Sequence, residues 1–369
     1  MFESYPLAAT DNNWLHEAVI EIIQTIHTRL DNGTGIITTR EKQRHWKGLL
    51  PNTINAVNKR KLRGWTGVRN RVLDYARYLK RTRISQAQRL IILHAIQNQN
   101  NIVGLLAGTS DISLIENDFP DVHAAAKDLF LFCYEKLGDA GIRNAQYQII
   151  YDSLASKDCP FCGFGDMMNI AEMSQDQDHY LVKSVYAFSA ANIRNLVPMC
   201  IKCNRGHKKT KNVIINDAEQ RVSAFDPYTC NSTDICIEQS QIVEGEARIS
   251  PTWNINFVPA TPEAENWDRI FNIRDRFARD IFDECFYRWF DGFMKKCSRE
   301  RNKGFYPITM TNDDIRCVLE DHRDSLLDDL GSGKDKFKPH LFNMMLSLYD
   351  SGNERVINHV RDAVVGVQI

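Results

Sequence analysis

Two Cys-x-x-Cys knuckles, Cys159-Pro-Phe-Cys162-Gly163 and Cys200-Ile-Lys-Cys203-Asn204, frame the stretch of this chain that can do chemistry. A two-residue spacer lets both sulfurs of a knuckle turn toward one ion about 2.3 Å away, so the four thiolates predict one tetrahedral zinc site. Pro160 presets the first turn, and Gly163 can take the positive φ at which the chain folds back. Between the knuckles stand Asp178 and His179, and Asn204 follows the last cysteine directly. Zinc that joins the two ends brings Asn204 beside that pair. A carboxylate, an imidazole and an amide oxygen in one small space can carry out phosphodiester hydrolysis. Zinc knuckles alone serve equally well as folding staples, and Asp-His is a common dipeptide whose weight here comes from its position.

The order Cys-x-x-Cys, Asp178-His179, Asn195-Leu-Val-Pro198, Cys-x-x-Cys-Asn204 and a basic run of Arg205, His207, Lys208, Lys209 and Lys211 resembles the HNH endonucleases of the ββα-metal fold in their four-cysteine form. The resemblance covers about a seventh of the chain, from Cys159 to Lys211. It implies that Asp178 and Asn204 hold a catalytic Mg²⁺ or Mn²⁺, that His179 is the general base, and that Asn195 braces the loop carrying His179. It also implies 5′-phosphate and 3′-hydroxyl products. His207 and its basic neighbours are expected to touch phosphate. Gln177 and Val182 depart from the family pattern, which favours an apolar residue before Asp-His and often a proline after the Asp-His-Tyr-Leu run. A general base of ordinary histidine pKa predicts activity that rises as pH passes about 6.5.

The elements around this stretch read as α+β. A mainly helical region with a basic belt is expected over 1–150, the zinc-knuckle ββα module over 151–215, and an accessory region of short strands and then helices over 216–369. Apolar residues at helical spacing place one helix from Trp14 to Leu30, capped by Thr10 or Asp11 and ending near Gly33. A second follows Ser85 and a third follows Pro120. The stripes on these helices are expected to form core. Period-two alternation around Val222, Ala224, Ile235, Ile237 and from Trp253 to Phe257, with Gly245 and Pro251 nearby, predicts a small sheet. A long aromatic-faced helix is expected to follow Pro262, then an acidic helix over 313–330 and a last helix from Pro339 to Tyr349.

Charge is balanced overall, with 46 Lys and Arg against 47 Asp and Glu, so a nucleic-acid contact must come from a local patch. The segment from Arg40 to Arg89 offers one: fifteen basic residues against Glu41 and Asp74. It contains Lys59, Arg60, Lys61 and Arg63 and interleaves Trp46, Trp65, Tyr75 and Tyr78, aromatics that could stack on unpaired bases. A polyanionic backbone is the partner this belt predicts; an acidic protein surface is the alternative. The six cysteines outside the knuckles (Cys133, Cys230, Cys236, Cys285, Cys297, Cys317) have no framework spacing, which predicts reduced thiols in a soluble, cytoplasmic protein with no membrane segment of its own.

These readings converge on a metal-dependent DNA endonuclease or nickase acting on double-stranded DNA. Its layout, an HNH module between extra regions, resembles effectors of bacterial anti-phage defence systems, Septu-like or Zorya-like, in which a partner protein holds the switch. A catalytically silent nucleic-acid-binding scaffold and an RNA-directed nuclease are the competing readings.

Overall fold

A computed structural model describes the chain except residues 1–2, 35–41, 82–83, 173–175, 230–231, 244–248, 308 and 367–369; the side chains of 42–45 and 81 are likewise outside the description. Arg40, Glu41, Arg83, Cys230 and Gly245 therefore lie outside the described residues. The fold is α+β, mostly helical, with three two-stranded antiparallel sheets among the described residues. The chain forms two compact units, one made of Ser4–Ala155 and Met167–Cys230, the other of Met1–Glu3, Ser156–Asp166 and Asn231–Ile369.

The first unit begins with a short 3-10 turn, Leu7–Thr10, and then α1, Trp14–Asp31. The N-cap is Asn13, which makes no side-chain capping bond, rather than Thr10 or Asp11, because the 3-10 turn consumes the expected cap residues. Gly33, in the left-handed region at φ +67°, closes the other end by donating to Leu30 O. The basic segment folds as α2 (Lys42–Leu49), α3 (Ala56–Gly64) and α4 (Thr66–Arg81). Then follow α5 (Gln86–Gln99), α6 (Ile102–Leu106), α7 (Pro120–Asp139) and α8 (Ile142–Ser153). Ser85 and Gln88 form a reciprocal capping box on α5, and Pro120 opens α7 where no backbone N–H is needed.

Leu15, Val19, Ile22, Ile23 and Ile26 of α1 are buried in one core with Val68, Val72 and Leu79 of α4 and Leu129, Phe130 and Cys133 of α7. The belt's aromatic residues join this core. Trp46 and Tyr75 are fully buried, and Trp65 stacks on Trp14 at 5.9 Å. Trp46 and Tyr75 are therefore packing residues and not a stacking platform for bases: each falls on the apolar side of its helix, while Trp65 caps α3 and packs against α1.

Two strands complete this unit. β1 (Gln177–His179) pairs antiparallel with β2 (Leu196–Pro198), with Asp178 opposite Val197 and His179 opposite Leu196. A π-helical segment, Lys202–Lys208, begins within the second knuckle and carries Cys203. The alternation at Val222 and Ala224 yields no strand; only an isolated bridge joins Ile215 to Arg221.

In the second unit, β3 (Asp234–Cys236), β4 (Gln241–Ile242), β5 (Pro251–Thr252) and β6 (Asn256–Val258) pair as β3 with β6 and β4 with β5. The aromatic-faced helix expected after Pro262 is broken. It runs as α9 (Pro262–Phe271), α10 (Ile273–Arg276), a π-helical turn Phe277–Asp283, and α11 (Glu284–Asn302). Asn272 turns the corner at φ 55° while Arg274 pairs with both Glu265 and Asp268 across it. Trp267, Phe271, Phe277, Phe282, Phe286 and Phe293 are buried, which makes that face core. The acidic segment forms α12 (Asn312–Asp328), capped by Thr311 and Asp314. Its Glu320 and Asp324 pair with Arg316 and Arg323 of the same helix, as on an ordinary solvated face. α13 (Lys338–Asp350) is followed by α14 (Glu354–Val364), a helix that the sequence reading did not anticipate. No helix among the described residues is long and apolar enough to cross a membrane.

Candidate metal centre and adjoining cavity

Cys159, Cys162, Cys200 and Cys203 are all buried, and their sulfur atoms lie within 4.8 Å of one another. Four thiols at that spacing can hold a metal ion such as zinc. Both knuckles are shaped by the backbone. Cys162 and Gly163 donate to Cys159 O, with Gly163 at φ +72°, and the Cys203 amide faces Cys200 Sγ at 3.5 Å.

A cavity of about 300 Å³ within the first unit is lined by Asp178 and His179 of β1, Asn204 of the π-helical segment, and Tyr134, Arg143, Lys183 and Lys209. The sequence placed the first three together; the backbone explains how. The short β1–β2 ladder fixes Asp178 and His179, while Asn204 donates its amide to Cys200 O and so is held by the knuckle that precedes it.

His179 is buried, and its Nε2 donates to Ala190 O at 3.0 Å. A carbonyl can only accept, so the lone pair resides on Nδ1. The Tyr134 ring meets the imidazole edge-on, with centroids 4.4 Å apart. Burial, aided by the Lys183 charge, lowers the His179 pKa to about 3. A group so lowered stays neutral well below pH 6.5, because burial keeps water from stabilising its charged form.

The loop between β1 and β2 is pinned by Asn195, which is fully buried. Its amide nitrogen donates to Leu181 O at 3.0 Å and Ser189 Oγ at 3.1 Å, and its Oδ1 accepts from Leu181 N at 2.7 Å. Gln177 also has a specific task. It accepts from Arg143 Nε at 3.2 Å and donates to Arg143 O at 2.9 Å, which fixes Arg143 at the cavity. A buried polar side chain thus stands where the resembled family favours an apolar one.

Asp178 is paired with Lys208, whose side chain is completely buried and whose Nζ lies 2.6 Å from Asp178 Oδ2. The same Nζ donates to His179 O at 2.9 Å. Burial lifts the Asp178 carboxyl above its ordinary range, while the Lys208 ammonium pulls the other way.

The phosphate-contact expectations fare unevenly. Lys208 faces inward and is not a surface contact; the π-helical winding turns it toward Asp178. Arg205 is exposed but engages Asp176, with Nε at 3.1 Å from Oδ2. His207 is half-buried outside the cavity lining, whereas Lys209 lines the cavity and Lys211 is exposed. In the belt, Arg60, Lys61 and Arg63 are exposed, and half-buried Lys59 donates to Asn52. Sequence reasoning missed Tyr134, Arg143 and Lys183. Tyr134 lies 5.4 Å from the Arg143 guanidinium and 4.9 Å from the Lys183 ammonium, a cation–aromatic cluster drawn from α7, α8 and the loop after β1.

In comparisons with known proteins, no family model, no curated protein and no solved structure matches the chain.

Proposed function

We propose that the chain is a metal-dependent endonuclease that hydrolyses phosphodiester bonds, with zinc at Cys159, Cys162, Cys200 and Cys203 as a structural ion. One observation carries the reading: Asp178, His179 and Asn204 line a single cavity together with Arg143, Lys183 and Lys209. A carboxylate, a neutral imidazole and an amide beside three cations suit a phosphodiester better than a neutral or cationic substrate.

The donor set fits a hard divalent ion such as Mg²⁺ or Mn²⁺. The Asp178 carboxylate is one hard oxygen donor, already balanced by the Lys208 ammonium, and the Asn204 amide oxygen is a second. Bound there, such an ion would polarise the scissile phosphate and offset charge on the leaving 3′ oxygen. The remaining roles belong to the chain. Ala190 O holds the His179 ring so that Nδ1 accepts the proton of the attacking water. Asn195 keeps the loop that carries Ala190 and Lys183 in place, and Arg143, Lys183 and Lys209 seat the flanking phosphates.

Double-stranded DNA is the substrate we favour. The RNA reading leaned on stacking by the belt's aromatics, and Trp46 and Tyr75 are buried. A role as the effector of an anti-phage defence system, with an activating partner, rests on resemblance of layout alone. The test is conversion of supercoiled plasmid by the purified chain in Mg²⁺ or Mn²⁺, with chelator as control and single-stranded DNA and RNA in parallel. Open-circle or linear product that requires the ion supports the reading. A plasmid that is bound but left intact supports the silent scaffold. With ion saturating, the rate should stay level from about pH 8 down to about pH 5, where a base of ordinary histidine pKa would lose most of its activity.

A further inference from the structure

Lys208 does not itself line the cavity, but it is an unusual group to find paired with a residue that does. Its side chain is completely buried, although its neighbours Arg205 and Lys209 are exposed. An ammonium withdrawn from water requires compensation, and the two oxygens that supply it both belong to the β1 pair: Asp178 Oδ2 at 2.6 Å and His179 O at 2.9 Å. The lysine is therefore addressed to the carboxylate that would hold the divalent ion.

We infer that Lys208 is an internal cation that competes with the divalent ion for Asp178 and keeps ion binding weak until a phosphodiester enters the cavity. The inference rests on the assignment of Asp178 and Asn204 as ion ligands. A carboxylate already balanced by an ammonium attracts a second cation less strongly, and two cations sharing one carboxylate repel each other. Arg143, Lys183 and Lys209 around the same cavity add to that excess of positive charge. A phosphate diester brings the missing negative charge, so ion and nucleic acid each strengthen the binding of the other. The cavity then assembles its ion only with a substrate in place.

The experiment measures Mn²⁺ binding to the full chain by electron paramagnetic resonance at about pH 8, without nucleic acid, well above the ordinary carboxylate range. Wild type is compared with Lys208→Met, Lys208→Gln and Asp178→Asn. The inference predicts that loss of the ammonium tightens Mn²⁺ binding by about tenfold or more, while Asp178→Asn abolishes it. Unchanged or weaker binding in the Lys208 variants, with Asp178→Asn still inactive in binding, overturns the inference and leaves the ligand assignment standing. Retention of Mn²⁺ by Asp178→Asn removes the ligand assignment and the inference with it.

Circular dichroism shows whether each lysine variant folds. If neither does, acetylation of Lys208 in the wild type, read by mass spectrometry, replaces them. Faster labelling at saturating Mn²⁺ supports displacement of the ammonium from Asp178, and equal protection with and without the ion overturns it.

Discussion

The basic belt and the cavity rim are both rich in cations, but they arrange them in opposite ways. In the belt, exposed Arg60, Lys61 and Arg63 of α3 point outward over a core that takes up Trp46 and Tyr75. At the rim, Arg143, Lys183 and Lys209 come from three separate segments and converge on the cavity that holds His179. A high density of like charge along the chain marks a solvated face, whereas chemistry requires convergence from distant positions. On the proposed function, the belt would hold a polyanion without positioning any one bond, and the rim would position one phosphate.

The comparison can be broken or sharpened by substitution. The largest effect is expected at the four cysteines, on which the placement of Asn204 depends. Cys203→Ser should remove zinc, read by elemental analysis, and cost several kcal/mol of stability, about the scale of a lost structural metal ligand. A zinc-free wild type of undiminished melting temperature would contradict this.

Next is Asn195→Ala, which strips a fully buried amide from Leu181 and Ser189. A loss of about 2–3 kcal/mol in chemical denaturation is expected, together with impaired cleavage, because the loop carrying Lys183 loses its brace. Full activity in this variant would mean that the rim does not depend on that loop.

Smaller effects should separate the two regions directly. Arg143→Gln and Lys183→Gln should each lower the salt dependence of duplex binding by about one unit of slope and slow cleavage of bound DNA. Changing Lys59, Arg60, Lys61 and Arg63 together to Gln should weaken binding and leave cleavage of bound DNA unaltered. Equal kinetic effects from the two sets would erase the distinction.

The smallest effect, per unit of pH, concerns the core under the belt. Burial lowers His16 to about 3 and His27 to about 4. As pH falls below about 6.5 the unfolded chain takes up protons that the folded chain refuses, so each imidazole should cost about 1.4 kcal/mol per pH unit until its folded pKa is reached. Urea melts between about pH 7 and pH 5 should show stability falling with pH, and His16→Gln should reduce the slope. A stability that rises on acidification would refute the burial of these groups.

Much of the helical framework was legible from periodicity and end signals. The α1 stripe, the Ser85–Gln88 box and Pro120 each mark an element through interactions within a few residues. The four cysteines and the Asp178, His179 and Asn204 set were legible because knuckle spacing dictates closure. The break at Asn272 was not, because it depends on Arg274 reaching both Glu265 and Asp268. Tyr134 and Arg143 lie more than thirty residues before Asp178 and carry no local mark of convergence. Lys208 read as one more surface cation; only the π-helical winding that turns it inward reveals its partner.

The most direct measurement compares His179→Ala with wild type on supercoiled plasmid at saturating Mg²⁺, once circular dichroism has shown both to be folded. The account predicts DNA binding equal to wild type and a cleavage rate about 10²–10⁴-fold lower, the usual contribution of a positioned general base. Cleavage by His179→Ala at the wild-type rate would contradict the account, since no base at that position would then be needed.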